Sequence, residues 1–108
     1  MAGQEHFDIV IAGGGVMGAS AAYWLTRTPG FAGRVAVIER DPGHARSSTA
    51  LSVASIRLQF SNAVNVQISR FGMEFIENAH DYIGLEGDVQ SLDLQANGYL
   101  FLAGTAEQ

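Results

Sequence analysis

The chain has 108 residues, of which 47% are hydrophobic and 16% are charged. This length and composition suit one small globular domain and argue against disorder. Eleven acidic residues against six arginines, with no lysine, give a net charge of −5, so the chain is a poor binder of nucleic acid or anionic membranes. The absence of cysteine excludes disulfides, thiol catalysis and cysteine-ligated metal, and it is compatible with the cytoplasmic location that we expect.

The first apolar stretch, residues 7–25, carries a single charge at Asp8. Its length alone would permit a membrane span or a signal peptide. No lysine or arginine precedes it, and four glycines that each weaken a helix interrupt it. We therefore expect no membrane span.

The chain begins with the pattern of a strand, a helix and a second strand. Residues 7–12 form a β-branched run that stops at glycines, which is typical of a buried strand. Residues 16–28 predict a helix that ends at Pro29 and Gly30, and residues 34–39 predict the second strand. Such a βαβ unit has parallel strands and a right-handed crossover.

The second half of the chain contains one strong helical pattern. Residues 44–60 have no clear period, and Ser61 is a good N-cap for a long amphipathic helix over residues 64–83 that Gly84 would end. Further on, the alternation at residues 92–94, the pair Asn97-Gly98 and the apolar run 99–102 predict a β-hairpin.

The turn after the first strand reads Gly-Gly-Gly-Val-Met-Gly and fits G-x-G-x-x-G between a strand and a helix. Gly13 permits the tight turn, Gly15 lets a pyrophosphate approach the backbone, and Gly18 lets the helix lie close to the sheet. The amides at the helix N-terminus, which include those of Val16 and Met17, suit an anion.

Glu39 ends the second strand, where a carboxylate can accept both ribose hydroxyls of an adenosine and would repel a 2′-phosphate. The alternative interpretation is a glycine-rich turn with a solvated glutamate. The motif does not distinguish FAD from NAD.

The residues around the motif carry a family resemblance. Residues 7–18, 21–25, 35–40, 47–52 and 55–61 resemble the N-terminal region of the D-amino-acid oxidase-like (DAO) FAD-dependent oxidoreductases, which include sarcosine oxidase, dimethylglycine dehydrogenase and glycine oxidase. Residues 98–102 are similar to the first strand of that family's substrate domain. The resemblance implies an α/β fold with a Rossmann-like FAD-binding βαβ unit, then a long helix and the start of a β-rich substrate domain.

The resemblance also implies a role for individual residues. The glycine turn and its helix would hold the FAD pyrophosphate, Glu39 the adenosine ribose, and Arg40 would flank the adenine. The hydroxyl-rich segment would pass the pyrophosphate and ribityl, and residues 51–57 would run close to the isoalloxazine ring. The implied cofactor-binding residues are Gly13, Gly15, Val16, Met17, Gly18, Glu39, Arg40, Ser47, Ser48, Thr49, Leu51 and Arg57.

One histidine, His44, and one arginine, Arg57, leave alternative roles open. Some members of the family attach FAD through a histidine soon after the second strand, but the residues around His44 differ, so we expect non-covalent FAD and a loop histidine. Arg57 could face the flavin or a substrate carboxylate, or it could form a surface ion pair. No catalytic residue can be named, and no histidine has metal-ligand spacing to another.

The implied enzyme oxidises the C–N bond of an amino acid or amine by hydride transfer to flavin N5. Since such an enzyme needs far more than 108 residues, we expect an N-terminal piece that is inactive alone, with residues 6–84 in the FAD-binding domain and 85–108 in the substrate domain. The alternatives are an NAD-binding domain of another dehydrogenase, or a non-catalytic fragment that self-associates through unpaired strand edges.

Overall fold

A computed structural model describes residues 5–84 and 92–104 of the chain. Within these ranges the chain divides into two compact units, with the boundary between Ser55 and Ile56. The predicted domain boundary after residue 84 lies next to residues 85–91, which are outside the described residues, and it stays a prediction.

The first unit is a strand–helix–strand arrangement. Strand β1 (Ile9–Ala12), helix α1 (Val16–Arg27) and strand β2 (Val35–Ile38) follow one another, and the two strands pair in parallel. The register runs from Ile9 opposite Val35 to Ala12 opposite Ile38. The predicted order and parallel pairing are therefore confirmed, with each element one or two residues shorter than its pattern.

Local side chains determine where β2 and α1 begin or end. The carboxylate of Asp8, the single charge in the first apolar stretch, accepts the Arg34 N–H at 2.7 Å, and the Asp8 N–H donates to the Arg34 carbonyl at 2.9 Å. Helix α1 ends because Thr28 precedes a proline and is extended, with ψ of 122°. The Thr28 hydroxyl donates to the carbonyl of Trp24 at 2.8 Å and so satisfies one of the last helical acceptors.

The described part of the second unit holds two helices in place of the single long helix that we predicted. Helix α2 (Ala63–Glu77) and helix α3 (Ala79–Ile83) are separated by Asn78, whose backbone leaves the helical region at φ −112° and ψ 29°. The N-cap is Asn62 rather than Ser61, since the Asn62 side chain accepts the Val64 N–H at 2.9 Å. Gly84 follows the last helical residue, as predicted.

The predicted hairpin is wrong for the described residues, because residues 92–104 form no strand. Asp93, at the centre of the first predicted strand, has φ of +49°, which a strand does not permit, and Gly98 has φ of +74°. A two-stranded hairpin is marginal without further strands or a packing surface. Tyr99 instead stacks on Phe101 at 5.7 Å between ring centroids, and its hydroxyl accepts the N–H groups of Leu58 and Gln59.

The apolar surface of the first unit is largely open to solvent. Ile9 and Ile11 are half-buried in β1, whereas Val10 is 57% exposed and Ile38 is 62% exposed. Parallel strands are normally covered on both faces, so this sheet presents an uncovered apolar face. No helix in the described part of the chain is long and apolar enough to cross a membrane.

Candidate functional site

The glycine turn between β1 and α1 depends on the missing side chains of two of its glycines. Gly13 has φ of +104°, a conformation that L-residues rarely adopt, and its N–H donates to the Ile38 carbonyl at 2.8 Å. A Cβ on Gly18 would lie 1.9 Å from the Gly13 carbonyl oxygen and 3.2 Å from Cγ2 of Ile11. The predicted reasons for glycine at both positions are therefore present in the structure.

Glu39 lies immediately beyond β2 and reaches the glycine turn. Its Oε2 accepts the Gly14 N–H at 2.7 Å, and its Oε1 accepts the Asp41 N–H at 2.8 Å. The hydrogen bonds from Asp41 and Gly14 lower the pKa of the Glu39 carboxyl, and the nearby His44 acts in the same direction. A half-buried, ionised carboxylate is thus fixed beside the turn, with lone pairs remaining on both oxygens for hydroxyl donors.

The connection after Glu39 is organised by Asp41. Its carboxylate accepts the N–H groups of Gly43 at 3.2 Å and Arg46 at 3.4 Å. Between them, His44 adopts φ of +54°, and its Cε1 lies 3.2 Å from the position that a Gly14 Cβ would occupy. The imidazole therefore packs directly on the glycine turn, next to Glu39.

Thr49 supplies the helix cap that Gly15 lacks. Gly15 is the N-cap of α1 and has no side chain to accept an amide, and the first turn of α1 contains no acidic residue. The Thr49 hydroxyl accepts the Val16 N–H at 3.1 Å and lies 3.2 Å from the position of a Gly15 Cβ. A residue 33 positions away therefore covers the N-terminus of the helix.

The other predicted site residues lie around this centre or apart from it. Ser47 stabilises its own loop, since its hydroxyl accepts the Ala50 N–H at 3.1 Å. Four of the remaining predicted residues are exposed in the first unit: Met17, Arg40, Ser48 and Leu51. Arg57 is exposed and belongs to the second unit. Their roles toward a cofactor stay predictions.

Two residues of the site were missed by the sequence reasoning. Gly14 is not among the predicted cofactor-binding residues, but its N–H donates to Glu39, and His44 packs where a Gly14 side chain would lie. Asp41 is not among the predicted cofactor-binding residues either, but its N–H donates to the other oxygen of the Glu39 carboxylate. The segment Asp-Pro-Gly after a strand is a signal for an Asx turn, and that signal could have identified Asp41.

The arrangement can bind an anion next to a diol. The N-terminus of α1 carries partial positive charge and amide donors, and Glu39 offers an ionised acceptor at the adjacent end of β2. A pyrophosphate linked to a ribose has these two features side by side, so the residues present fit an adenine dinucleotide.

Comparison with known proteins identifies the family of the chain. A family model described as "FAD dependent oxidoreductase" (DAO) matches residues 8–108. The chain is similar to "FAD-dependent oxidoreductase domain-containing protein 1" of Bos taurus, with 52% identity over 92% of this chain and 21% of the relative. The Xenopus laevis protein of the same name is 47% identical over 92% of this chain and 20% of its own length.

A more distant match covers less of the chain. It is the "Hydrogen cyanide synthase subunit HcnC" of Pseudomonas protegens, with 47% identity over 43% of this chain and 11% of that protein. No solved structure matches the chain significantly. The chain spans about a fifth of the length of the FAD-dependent oxidoreductase relatives above. Since the family model covers nearly all of the sequence, the chain belongs to the FAD-dependent oxidoreductase family, DAO.

Proposed function

We propose that residues 8–55 form the Rossmann-like part of a non-covalent FAD site in an enzyme that oxidises the C–N bond of an amino acid or amine. The observation that carries the FAD site is the contact of the Glu39 carboxylate with the Gly14 N–H, at 2.7 Å. This contact places a ribose acceptor beside the amides that would receive the pyrophosphate.

The residues of this chain bind and orient the cofactor in this proposal. Glu39 accepts the ribose hydroxyls, and the start of α1 receives the pyrophosphate. A Cβ on Gly13 would meet nothing within 4 Å, so this glycine leaves room for the pyrophosphate to approach. Bound FAD supplies the redox chemistry by accepting a hydride from the carbon next to the substrate nitrogen. His44 packs on Gly14 at the ribose end of the site, which supports a cofactor that is not attached through this histidine.

Titration of FAD into the protein, followed by calorimetry, tests the cofactor assignment. Glu39→Ala removes an ionised acceptor, and hydrogen bonds to charged groups contribute ~1.5–3 kcal/mol, so FAD affinity should fall about tenfold or more. Glu77→Ala, which removes an exposed carboxylate from α2, is the matched control and should bind FAD as the unaltered protein does. Equal affinities for the two variants, or binding of NAD in preference to FAD, would contradict the assignment.

Acid precipitation of the FAD-loaded protein tests the mode of attachment. Non-covalent flavin should remain in the supernatant, whereas yellow colour in the washed precipitate would show a covalent link. If a link were found, His44→Ala would decide whether this histidine carries it.

The reaction class rests on the family and on one relative. The name of the Pseudomonas protegens protein denotes synthesis of hydrogen cyanide, a molecule with a carbon–nitrogen bond, and this supports a nitrogen-bearing carbon as the reacting centre. Because we expect the chain alone to be inactive, the substrate test uses a longer FAD-loaded protein that contains it. Anaerobic mixing of that protein with amino acids, N-methyl amino acids and 2-hydroxy acids should bleach the flavin only with the nitrogen compounds. Bleaching by the hydroxy acids alone would refute the proposed reaction class.

Self-association is a second proposal and concerns the uncovered sheet. Val10 and Ile38 are 57% and 62% exposed, and exposed strands with apolar faces favour association. Sedimentation velocity over a range of concentrations should show species larger than a monomer. A monomer at every concentration would contradict this proposal and leave the FAD assignment intact.

A further inference from the structure

The pair Asn97-Gly98 lies in the second unit, outside the residues of the proposed cofactor site. Both residues are exposed, and neither belongs to a helix or a strand. In a hairpin, an Asn-Gly pair forms the centre of a tight turn that the flanking strands hold in place. Since residues 92–104 form no strand, the pair lacks this restraint within the described residues.

The two groups that react when an asparagine deamidates are both accessible here. The reaction needs the backbone nitrogen of the following residue to reach Cγ of the asparagine side chain. Gly98 has no Cβ to obstruct this approach, and a Cβ there would meet nothing within 4 Å. In the described ranges no acceptor holds the Gly98 N–H and no partner holds the Asn97 side chain. The Asn97 N–H donates to the Gln95 carbonyl at 3.1 Å, and this contact involves neither reacting group.

The other three asparagines of the chain are held by helix α2 or lie at its ends. The side chain of Asn62 accepts a backbone N–H of α2 at 2.9 Å, and that of Asn78 donates to a carbonyl of α2 at 2.8 Å. Asn65 lies within the helix. Alanine or valine follows each of them, and the side chain of these residues hinders the approach of the backbone nitrogen. Asn97 differs from all three in its following residue and in its contacts.

We propose that Asn97 is a site of spontaneous deamidation. The Gly98 nitrogen attacks Cγ of Asn97 and gives up its proton, the new C–N bond closes a succinimide ring, and the side-chain nitrogen leaves as ammonia. Water then opens the ring at either carbonyl, which leaves aspartate or isoaspartate at position 97. The net change is the hydrolysis of one amide, and no oxidant or reductant takes part.

The isoaspartate product changes the backbone close to Tyr99. Its main chain runs through the side-chain carbon, so one methylene is added between residues 97 and 98. The Tyr99 hydroxyl accepts the N–H groups of Leu58 and Gln59. A C–C bond of about 1.5 Å is longer than the ~0.5 Å range over which N–H···O distances vary. The two amides should therefore lose their acceptor in the isoaspartate form.

Mass spectrometry of the aged protein tests the site. The unaltered chain is kept in neutral buffer and digested at intervals, and its peptides are separated by chromatography. The peptide that contains Asn97 should exchange NH2 for OH and divide into an aspartate and an isoaspartate product. The rate should rise with pH, because the attacking nitrogen must lose its proton. Asn97→Gln moves the amide carbon one bond farther from the Gly98 nitrogen, and its mass should stay constant.

Incubation of the same chain in urea separates the effect of the fold from that of the sequence. Because the folded chain leaves the pair open, the rate at Asn97 should be similar in buffer and in urea. A much slower rate in buffer would overturn the proposal. An earlier mass gain at Asn62, Asn65 or Asn78 would overturn it as well.

Amide exchange measured by NMR tests the link to Tyr99. The Leu58 and Gln59 amides should exchange faster in the purified isoaspartate form than in the unaltered chain. Tyr99→Phe removes the hydroxyl and should accelerate the same two amides. Asn97→Asp adds the charge without the methylene and should leave them unchanged. Equal exchange in Asn97→Asp and in the isoaspartate form would overturn the link.

Discussion

Gly18→Ala tests whether close approach of α1 to the preceding turn holds the first unit together. The added methyl carbon would lie 1.9 Å from the Gly13 carbonyl oxygen, although real Cβ atoms essentially never come within 3.0 Å of another heavy atom. The start of α1 must therefore retreat by about 1.1 Å, the difference between these two distances. The obstacle is backbone, and it is anchored because the Gly13 N–H donates to the Ile38 carbonyl at 2.8 Å.

The expected cost is that of inserting a methyl group into a packed contact. Such overpacking costs ~1–3 kcal/mol, and a rigid carbonyl places Gly18→Ala near the upper end of this range. Alanine also favours a helix over glycine by ~1 kcal/mol, which offsets part of the cost. Gly72→Ala in α2 is the matched control, since a Cβ there meets nothing within 4 Å. It should gain the helix preference alone and stabilise the protein by ~1 kcal/mol.

Urea unfolding measures both effects. Circular dichroism follows the helices, and the fluorescence of Trp24, the single tryptophan of the chain, reports on α1. We expect Gly18→Ala to unfold at a lower urea concentration than the unaltered protein and Gly72→Ala at a higher one. If Gly18→Ala were as stable as Gly72→Ala relative to the unaltered protein, the close approach of α1 to the turn would not exist in solution.

Two further substitutions test a helix cap and a carboxylate. Asn62→Ala should destabilise the protein by ~1 kcal/mol in urea unfolding, because the Val64 N–H loses its acceptor. Ser61→Ala should have little effect. A larger loss of stability in Ser61→Ala than in Asn62→Ala would identify Ser61 as the N-cap. Since the folded pKa of Glu39 is lowered, its ionised form stabilises the protein above the ordinary carboxyl pKa of 4.5, and this contribution is lost as the pH falls through the folded value. Glu39→Gln should therefore unfold with a weaker pH dependence below that range, and an unchanged dependence would refute the two hydrogen bonds to its carboxylate.

The helices and strands that the sequence predicted correctly are those whose limits are set by residues within or next to them. A β-branched run that ends at glycines defines β1, and the proline after Thr28 ends α1. The helix boundaries in the second unit were harder to predict. Ser61 and Asn62 are both good N-caps, and the structure decides for Asn62 through its extended backbone, φ −101° and ψ 125°, and its side-chain bond to the Val64 N–H. The break at Asn78 has neither glycine nor proline beside it, so no local signal interrupts the apolar pattern of α2 and α3.

The predicted hairpin failed for a reason that lies outside its own residues. Alternation and an Asn-Gly pair describe what a strand pair needs locally, but strands also need a sheet or a packing surface. The described part of the second unit offers no strand for residues 92–104 to pair with. Tyr99 uses its hydroxyl on the backbone at Leu58 and Gln59 instead, a long-range contact that no local pattern indicates.

The contacts of the candidate site also differ in whether the sequence could predict them. Thr49 reaches Val16 across a connection without periodicity, and neither residue type nor spacing predicts that contact.

Glu39 is different, because its position follows from the pairing of β1 and β2. Parallel pairing brings the carboxyl ends of β1 and β2 to the same edge, and the register places Ala12 opposite Ile38. Gly13 follows β1 and Glu39 follows β2, so the glycine turn and the carboxylate are neighbours. A register slip of one residue would turn the side chain of Glu39 to the other face of the sheet and place Ile38 or Arg40 opposite Gly13. The short pairing of four residues in each strand therefore determines which charge meets the glycines, and hence which part of a dinucleotide this edge can bind.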